Sequence, residues 1–178
     1  SFMQHELEAS FIYEDTPDCV VLLGGEFAGA DSPVVLGTLK GQGVTVSGQV
    51  SLGNTRGAGK HGGVTVTLTD KSSAETYSAT TQADGSYTID GVPEGQYSLE
   101  ISAPGFLKYT KSTVEITAEQ SQMATVTLKG GDINSSGLID GTDLGIFTAD
   151  FGYNAGDTET SQYSDIDGSG VVMAGPSF

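Results

Sequence analysis

The feature that most constrains the fold is an alternation of apolar and polar residues that begins at Val44 and recurs as far as Leu128. Successive residues of a β-strand point to opposite faces of a sheet, so a period of two indicates half-buried strands. Turn signals such as Asp84-Gly85 and Pro93-Glu94-Gly95 separate the alternating segments, and no helical stretch lies between them. The pattern predicts an antiparallel β-sandwich over residues 44–129. Its clearest strands are Val64–Thr69, Tyr97–Ile101, Val114–Ile116 and Val126–Leu128.

The residues before this pattern form a short segment with weaker signals. Val20–Leu23 and Val34–Leu36 predict two strands, and Gly24-Gly25 and Asp31-Ser32-Pro33 predict turns between them. A segment of this length cannot bury a core of its own. We therefore expect residues 1–43 to form N-terminal strands that pack on the sandwich.

The charge of the chain narrows the classes of partner. The 178 residues carry a formal net charge of −16. Nucleic acids and anionic membranes attract basic patches, which argues against both as partners. Residues 130–178 contain eight acidic residues and no Lys or Arg. This acidity indicates either the solubility of a secreted protein or a segment that gathers oxygen ligands for a hard cation.

A signature within the alternating region narrows the type of sandwich. Residues 83–99 read ADGSYTIDGVPEGQYSL, and Ala103-Pro104-Gly105-Phe106 follows. Here Asp84-Gly85 predicts a hairpin turn, and Tyr87 and Ile89 share one face of the next strand. The signature resembles the carboxypeptidase-regulatory-like and Cna-B-like domains. That resemblance implies an Ig-like or prealbumin-like β-sandwich that serves as a spacer.

A different pattern starts at Asp132, where residues 132–143 read DINSSGLIDGTD. An EF-hand loop places oxygen ligands at positions 1, 3, 5, 7, 9 and 12, with a glycine at position 6 for the turn. Gly137 occupies the turn position, and Ile139 at position 8 would anchor the loop to its partner. The spacing therefore predicts one Ca²⁺ in this loop. Its ligands would be Asp132, Asn134, Ser136, the Leu138 carbonyl, Asp140 and Asp143.

A second loop begins at Asp165, 33 positions after Asp132. Asp165, Asp167 and Ser169 take positions 1, 3 and 5, the Val171 carbonyl takes position 7, and Val172 is the apolar anchor. Position 9 is Met173 and position 12 is Pro176, and neither side chain offers a good oxygen ligand. The second repeat is therefore expected to be truncated or degenerate, with a calcium site that is weaker or empty.

The residues that follow the first loop predict a helix. Leu144, Phe147 and Phe151 fall on one helical face, Gly152 ends the helix, and Thr158–Tyr163 can form a short connecting helix. A calcium loop followed by one helix, with a second and incomplete repeat of the loop further along, resembles a cellulosome dockerin. The resemblance places a small α-helical dockerin over residues 130–178. The order of sandwich and dockerin also resembles the X-module–dockerin pair at the end of some scaffoldins.

The dockerin resemblance implies a partner and a location. Dockerins bind a cohesin domain of a scaffold or cell-surface protein, outside the cell, in the assemblies that degrade polysaccharides. The sandwich would then be a stabilising spacer. The family's contact positions fall here on small or apolar residues, which implies a largely apolar contact. They are Gly141, Thr142, Leu144, Thr148 and Ala149.

Two other functions are alternatives to this one. A calcium-rigidified stalk of a secreted surface protein would share the loops but would have no cohesin partner. An enzyme is disfavoured, because glycosidase chemistry needs two opposed carboxylates and no such pair can be placed in a small sandwich. His5 and His61 also lack a Ser or Cys context that would suggest a triad. No apolar run reaches the ~18 residues of a transmembrane helix, and we expect an extracellular or cell-surface protein of bacterial type.

Overall fold

The computed structural model describes residues 19–23, 34–39, 43–53 and 56–173, and the structural statements below concern these residues. The chain divides into two compact units, Ser1–Gln42 and Gly43–Phe178. In the first unit, β1 (Cys19–Leu23) pairs antiparallel with β2 (Val34–Leu39). These strands contain the two predicted in this segment, whereas the two predicted turns lie outside the described residues. The expected packing of this segment on the sandwich stays a prediction.

The second unit is a β-sandwich followed by loops and two short helices. One sheet has the order β10–β3–β6, the other has the order β5–β4–β7–β9, and β8 pairs with β11 in a two-stranded ribbon. The strands are β3 (Val44–Leu52), β4 (Thr65–Asp70), β5 (Thr76–Thr80), β6 (Ser86–Val92), β7 (Gly95–Ser102), β8 (Gly105–Phe106), β9 (Tyr109–Ile116), β10 (Val126–Leu128) and β11 (Gly130–Asp132).

The predicted alternation is confirmed by the burial of every second residue in the central strands. In β4, Val66 and Leu68 are buried between the sheets, and Tyr97, Leu99 and Ile101 of β7 face the same core. Burial of apolar area is the main favourable term in folding, so these side chains hold the two sheets together. The rest of the core is contributed by Val46, Val50, Leu52, Val64, Tyr87, Ile89, Val92, Phe106, Val114, Ile116 and Leu128.

Two details of the predicted sandwich are wrong. The sandwich is not purely antiparallel, because β10 pairs parallel with β3, with Val126 opposite Val50. Asp84-Gly85 is a tight turn but not a hairpin, because it leads from β5 in one sheet to β6 in the other. A Cβ at Gly85 would clash with the Val50 carbonyl oxygen. Side-chain alternation reports burial and carries no information on strand direction or on sheet membership.

The helical part is small. Helix α1 spans Gly141–Asp150 and helix α2 spans Ser161–Ser164, so α2 begins three residues later than the predicted connecting helix. Ten and four helical residues make a smaller helical content than the expected α module, and most of residues 130–173 is loop. Among the described residues, neither helix has the length and apolar character that a membrane crossing requires.

Candidate functional site: two acidic loops and an exposed helix

The first acidic loop folds around its own oxygen atoms. The Ser136 N–H donates to Asp132 Oδ1 at 2.8 Å and to Asn134 Oδ1 at 2.9 Å, and the Gly137 N–H donates to Asp132 Oδ2 at 3.0 Å. Ser136 Oγ donates to the Leu138 carbonyl at 3.2 Å. The oxygens predicted at positions 1, 3, 5 and 7 are thus brought together on the inside of one turn.

The second acidic loop repeats this arrangement. The Ser169 N–H donates to Asp165 Oδ1 at 3.0 Å and to Asp167 Oδ1 at 2.9 Å, and the Gly170 N–H donates to Asp165 Oδ2 at 2.9 Å. Ser169 Oγ donates to the Val171 carbonyl at 3.0 Å. The same four hydrogen bonds therefore shape positions 1 to 7 of both loops.

The backbone of the two loops also matches. Position 4 has a positive φ in both loops, 57° at Ser135 and 65° at Gly168. Position 6 has φ of 85° at Gly137 and 93° at Gly170. Positive φ is uncommon for residues other than glycine, so its recurrence at two equivalent positions indicates one shared loop conformation.

The first loop is closed by the carboxylate of Asp143 at position 12. This buried side chain accepts the backbone N–H groups of Ile133 at 2.9 Å, Asn134 at 3.2 Å and Asp140 at 2.9 Å. These hydrogen bonds, that of Asp140 above all, hold the pKa of Asp143 below its usual value. Asp140 in turn caps α1 by accepting the Thr142 N–H at 2.8 Å. Position 12 is thus an ionised carboxylate fixed to the loop.

The later positions of the second loop are only partly described. Met173 at position 9 is half-buried, and Pro176 at position 12 lies outside the described residues. The two predicted apolar anchors differ, because Val172 is fully buried while Ile139 is 49% exposed. The buried strand-like segment at Val172 pairs with Tyr153 through the hydrogen bond from the Val172 N–H to the Tyr153 carbonyl at 2.9 Å. The first loop has no such backbone partner at Ile139 among the described residues.

The chemistry of the loops suits a hard cation. Within the described part of the chain, no three His, Cys, Asp or Glu side chains lie close enough to hold a metal ion by themselves. Each loop instead combines carboxylates with hydroxyl and backbone carbonyl oxygens, and the first loop adds the Asn134 amide. Ca²⁺ accepts such mixed oxygen ligands with flexible geometry, whereas zinc sites are built mainly from Cys sulfur and His nitrogen. The residues present therefore fit calcium.

Helix α1 leaves part of its apolar surface exposed to solvent. It buries Asp143 and Asp150, seven residues apart on one face, and leaves Leu144 65% and Phe151 54% exposed. Phe147 is half-buried and meets Phe151 edge to face, with 6.1 Å between ring centroids. The predicted apolar face exists, but it is not packed into the core. The five predicted partner-binding residues are all exposed on this helix, namely Gly141, Thr142, Leu144, Thr148 and Ala149.

A buried polar cluster that the sequence reading missed joins α1 to α2. Asp150 accepts Thr158 Oγ1 at 2.7 Å and Ser164 Oγ at 2.6 Å. Ser161 Oγ accepts the N–H groups of Gly156 at 2.9 Å and Thr158 at 3.0 Å. Asp150, Ser161 and Ser164 are all nearly inaccessible to solvent. The only sequence signal was the helical spacing of Asp150 from Asp143, which places both carboxylates on one face.

Removing the Asp150 carboxylate should destabilise the helical part. Asp150→Ala leaves the buried Ser164 hydroxyl without a hydrogen-bond acceptor. Each buried hydroxyl that loses its acceptor costs about 1–3 kcal/mol, so we expect the free energy of unfolding in urea to fall by about 2–4 kcal/mol. Asp150→Asn should cost less, since one oxygen remains. Asp90→Ala is the control, because Asp90 is exposed and accepts one hydroxyl hydrogen bond. Equal losses for Asp150→Ala and Asp90→Ala would contradict the prediction.

The same carboxylate should contribute to acid sensitivity. Burial raises the pKa of Asp150, but hydrogen bonds from Ser164, Thr158 and Thr160 outweigh it, and the pKa lies below its usual value. A depressed pKa stabilises the fold above the unfolded pKa of about 3.9, and that stabilisation is lost as pH falls through the folded pKa. The difference in stability between the natural chain and Asp150→Asn should be constant near neutral pH and shrink below pH ~4. A constant difference down to acid pH would contradict this.

The sandwich packs directly against the loop segment. Strand β11, which ends at Asp132 of the first loop, pairs with β8 of the sandwich. Ile166 of the second loop packs against the sandwich core, and a Cβ at Gly130 would clash with it. Arg56 lies with its guanidinium 5.1 Å from the Phe106 ring centroid and bonds to the second loop. The two parts therefore share a packed interface within one unit.

Comparison with solved structures gives the fold of the chain. A chain of an N-terminal interface mutant of a type II cohesin–X–dockerin complex from Acetivibrio cellulolyticus is 24% identical, with a TM-score of 0.59. A chain of the matching C-terminal interface mutant is 22% identical, with a TM-score of 0.58. Each match covers 73% of this chain and 88% of the solved chain. None of the curated proteins compared with the chain matches it significantly.

Comparison with protein families gives a family to which the sandwich is similar. The model of the carboxypeptidase regulatory-like domain matches residues 45–129. These bounds agree with the 44–129 expected from the ADGSYTIDGVPEGQYSL signature, and the predicted resemblance is confirmed for this part of the chain. The sandwich over residues 45–129 is thus similar to the carboxypeptidase regulatory-like domain, and the chain shares its fold with chains of cohesin–X–dockerin complexes.

Proposed function

We propose that the chain is a non-catalytic, calcium-dependent protein–protein interaction module of an extracellular, cellulosome-type assembly. Residues 130–178 form a dockerin-type module that binds a cohesin domain, and the sandwich is its stabilising spacer. The first loop holds one Ca²⁺ through Asp132, Asn134, Ser136, the Leu138 carbonyl, Asp140 and Asp143. The second loop, with Asp165, Asp167, Ser169 and the Val171 carbonyl, holds a second ion more weakly or stays empty.

The observation that carries this proposal is the repetition of one loop geometry. Two loops whose first residues lie 33 positions apart make the same four hydrogen bonds and have positive φ at the same two positions. An incidental acidic turn has no reason to recur with its carboxylate, hydroxyl and carbonyl oxygens in equivalent places. A calcium loop requires this arrangement, since several oxygens of one short segment must face a single ion.

The exposed face of α1 supports a protein partner. Leu144, Phe147 and Phe151 form an apolar strip at the surface, bordered by the small uncharged residues Thr148 and Ala149. Cores of protein interfaces are depleted in charge and enriched in aromatic residues. An apolar strip that the described part of the chain leaves uncovered is therefore suited to burial against another protein.

The fold comparison supports the same partner class. A match over 73% of the chain corresponds to about 130 residues, more than the 85 residues of the carboxypeptidase-regulatory-like domain. The shared fold thus extends beyond the sandwich. The solved chains come from complexes that contain a cohesin, an X module and a dockerin, and we extend that partnership to this chain as part of the proposal.

Calcium titration and cohesin capture test the proposal together. Calorimetry on decalcified protein should show one tight site and at most one weaker site, and a panel of immobilised cohesins should retain the protein in calcium but not in chelator. Leu144→Asp should reduce capture by about 100-fold without changing calcium uptake, because a charge in an interface core is strongly unfavourable. Ala118→Asp, on an exposed site of the sandwich, is the matched control.

The possible outcomes separate the functions. Calcium uptake with no retention on any cohesin would favour the rigidified stalk of a secreted surface protein. Retention that is equal in calcium and in chelator would contradict calcium-dependent binding.

A further inference from the structure

Two cations of the sandwich bond to the backbone of the second loop. Arg56, the single arginine of the chain, donates from Nε to the Ile166 carbonyl at 2.8 Å and from Nη2 to the Asp165 carbonyl at 3.0 Å. Lys60 donates from Nζ to the Gly168 carbonyl at 2.7 Å. Three carbonyls of the second loop, at positions 1, 2 and 4, thus receive charge-assisted hydrogen bonds, which are stronger than neutral ones.

The turn that carries these cations is fixed to the sandwich. Next to Lys60, the His61 N–H donates to the Ala83 carbonyl at 2.9 Å, and His61 Nδ1 accepts the Leu52 N–H at 3.1 Å. The Arg56 guanidinium also lies over the Phe106 ring, a cation–π arrangement. The turn that carries the two cations is therefore held in place by the sandwich.

The first loop is held in a different way. Its backbone N–H groups at Ile133, Asn134 and Asp140 are gathered by its own Asp143. No Lys or Arg side chain among the described residues donates to that loop. The second loop has Met173 where a ligand oxygen is expected, and it receives its outside support from the sandwich. The first loop is closed by its own Asp143 side chain, and the second loop is held by cationic side chains of the sandwich.

We propose that Arg56 and Lys60 form a latch that holds the second loop in its metal-binding shape in the absence of metal, so that cationic side chains of the sandwich support this loop and not the first. The evidence for the latch is these contacts alone, whereas its effect on the calcium affinity of the second loop rests on the proposed function. Arg56 and Lys60 are positioning residues here, since they bond to carbonyls that calcium does not use.

The latch leaves the candidate ligands free. The loop's ligand oxygens face inward, where Asp165 Oδ1 and Oδ2 accept the N–H groups of Ser169 and Gly170. The latch occupies carbonyls at positions 1, 2 and 4, whereas the backbone ligand of an EF-hand loop is at position 7. Latch and metal can therefore act on the same loop at once, and the latch reduces the ordering that metal binding must impose.

Amide hydrogen exchange in chelator tests the latch without calcium. In Arg56→Gln/Lys60→Gln, the amides of Ser169 and Gly170 should exchange at least about tenfold faster, while Ser136 and Gly137 of the first loop stay within about twofold. Arg56→Lys should give an intermediate effect, because lysine keeps the charge but cannot donate to two carbonyls in a fork. Lys108→Gln/Lys111→Gln removes the same charge from exposed sites on the sandwich and should change neither loop.

Several outcomes would overturn the latch. They are unchanged exchange at Ser169 and Gly170, equal loosening of both loops, or the same effect in the lysine control. If the double variant does not fold, Arg56→Lys alone is judged by the same comparison of the two loops. A parallel calcium titration should show about a tenfold loss of affinity at the weaker site alone. Absence of any calcium uptake by the natural chain would refute the proposed function and leave the exchange result to decide the latch.

Discussion

Replacing Asp132 and Asp143 by asparagine should lower the calcium affinity of the first loop by about 1,000-fold or more, since calcium loops tune affinity by the number of charged ligands. Both carboxylates occupy ligand positions and both are buried. Asparagine keeps the size of each side chain and one oxygen acceptor. The change therefore removes two negative charges, while each side chain keeps one of the two oxygens that accept backbone N–H groups of the loop.

The control for this experiment lies in the same segment. Asp157→Asn with Glu159→Gln removes two charges from residues outside both loops, and it should leave calcium uptake unchanged. Isothermal calorimetry on decalcified protein gives affinity and stoichiometry in one experiment. Tight uptake that survives in the loop variant would refute the ligand assignment. A similar loss in the control would show that net charge, and not the ligand set, governs affinity.

The loops and the sandwich strands could be predicted from sequence because both are encoded locally. The alternation of Val64–Thr69 follows directly from burial on one face, and β4 occupies nearly the same residues. The spacing of Asp132, Asn134 and Ser136 follows from the need to direct oxygens into one short turn, and the loop has that hydrogen bonding. Such patterns depend on neighbours in sequence, which a sequence displays.

The features that were not predicted depend on contacts between residues that are far apart in the sequence. The parallel pairing of β10 with β3 joins segments about 76 residues apart, and neither segment encodes the direction of its partner. Arg56 bonds to Ile166, 110 residues further along the chain. The apolar residues of α1 were predicted as a face, but their exposure depends on Asp143 and Asp150 being buried instead. Only the folded chain brings these groups together.

Gly105→Ala should uncouple the loop segment from the sandwich, because Gly105 of β8 lies against Tyr163 of α2. A Cβ there would lie 2.6 Å from the Tyr163 carbonyl oxygen, and the backbone has φ of 79°. Overpacking of this kind costs about 1–3 kcal/mol, and a positive φ adds about 1–2 kcal/mol for alanine. The substitution acts on the interface, at the residue of β8 that pairs with Asp132 of the first loop.

Gly63→Ala isolates the contribution of backbone strain. Gly63 has a nearly identical φ of 81°, and a Cβ there would meet nothing within 4 Å. The difference between the two variants therefore reports the clash with Tyr163 alone. We expect Gly105→Ala to be less stable than Gly63→Ala by at least about 1 kcal/mol in denaturant unfolding. Equal losses of stability in the two variants would indicate that the interface accommodates the added methyl group without an energetic cost.

Calcium binding then tests whether the sandwich and the loops of the natural chain unfold as one cooperative unit. A ligand at 100 times its Kd stabilises the folded state by about 2.7 kcal/mol, which for a unit of this size raises Tm by about 10 °C. If the sandwich and the loops unfold together, calcium should shift one transition that includes the sheet signal. In Gly105→Ala, calcium should protect only the loop amides, and the sheet should unfold at a temperature independent of calcium. Two transitions in the natural chain, with the sheet insensitive to calcium, would show that β11, Ile166 and Arg56 do not couple the two parts.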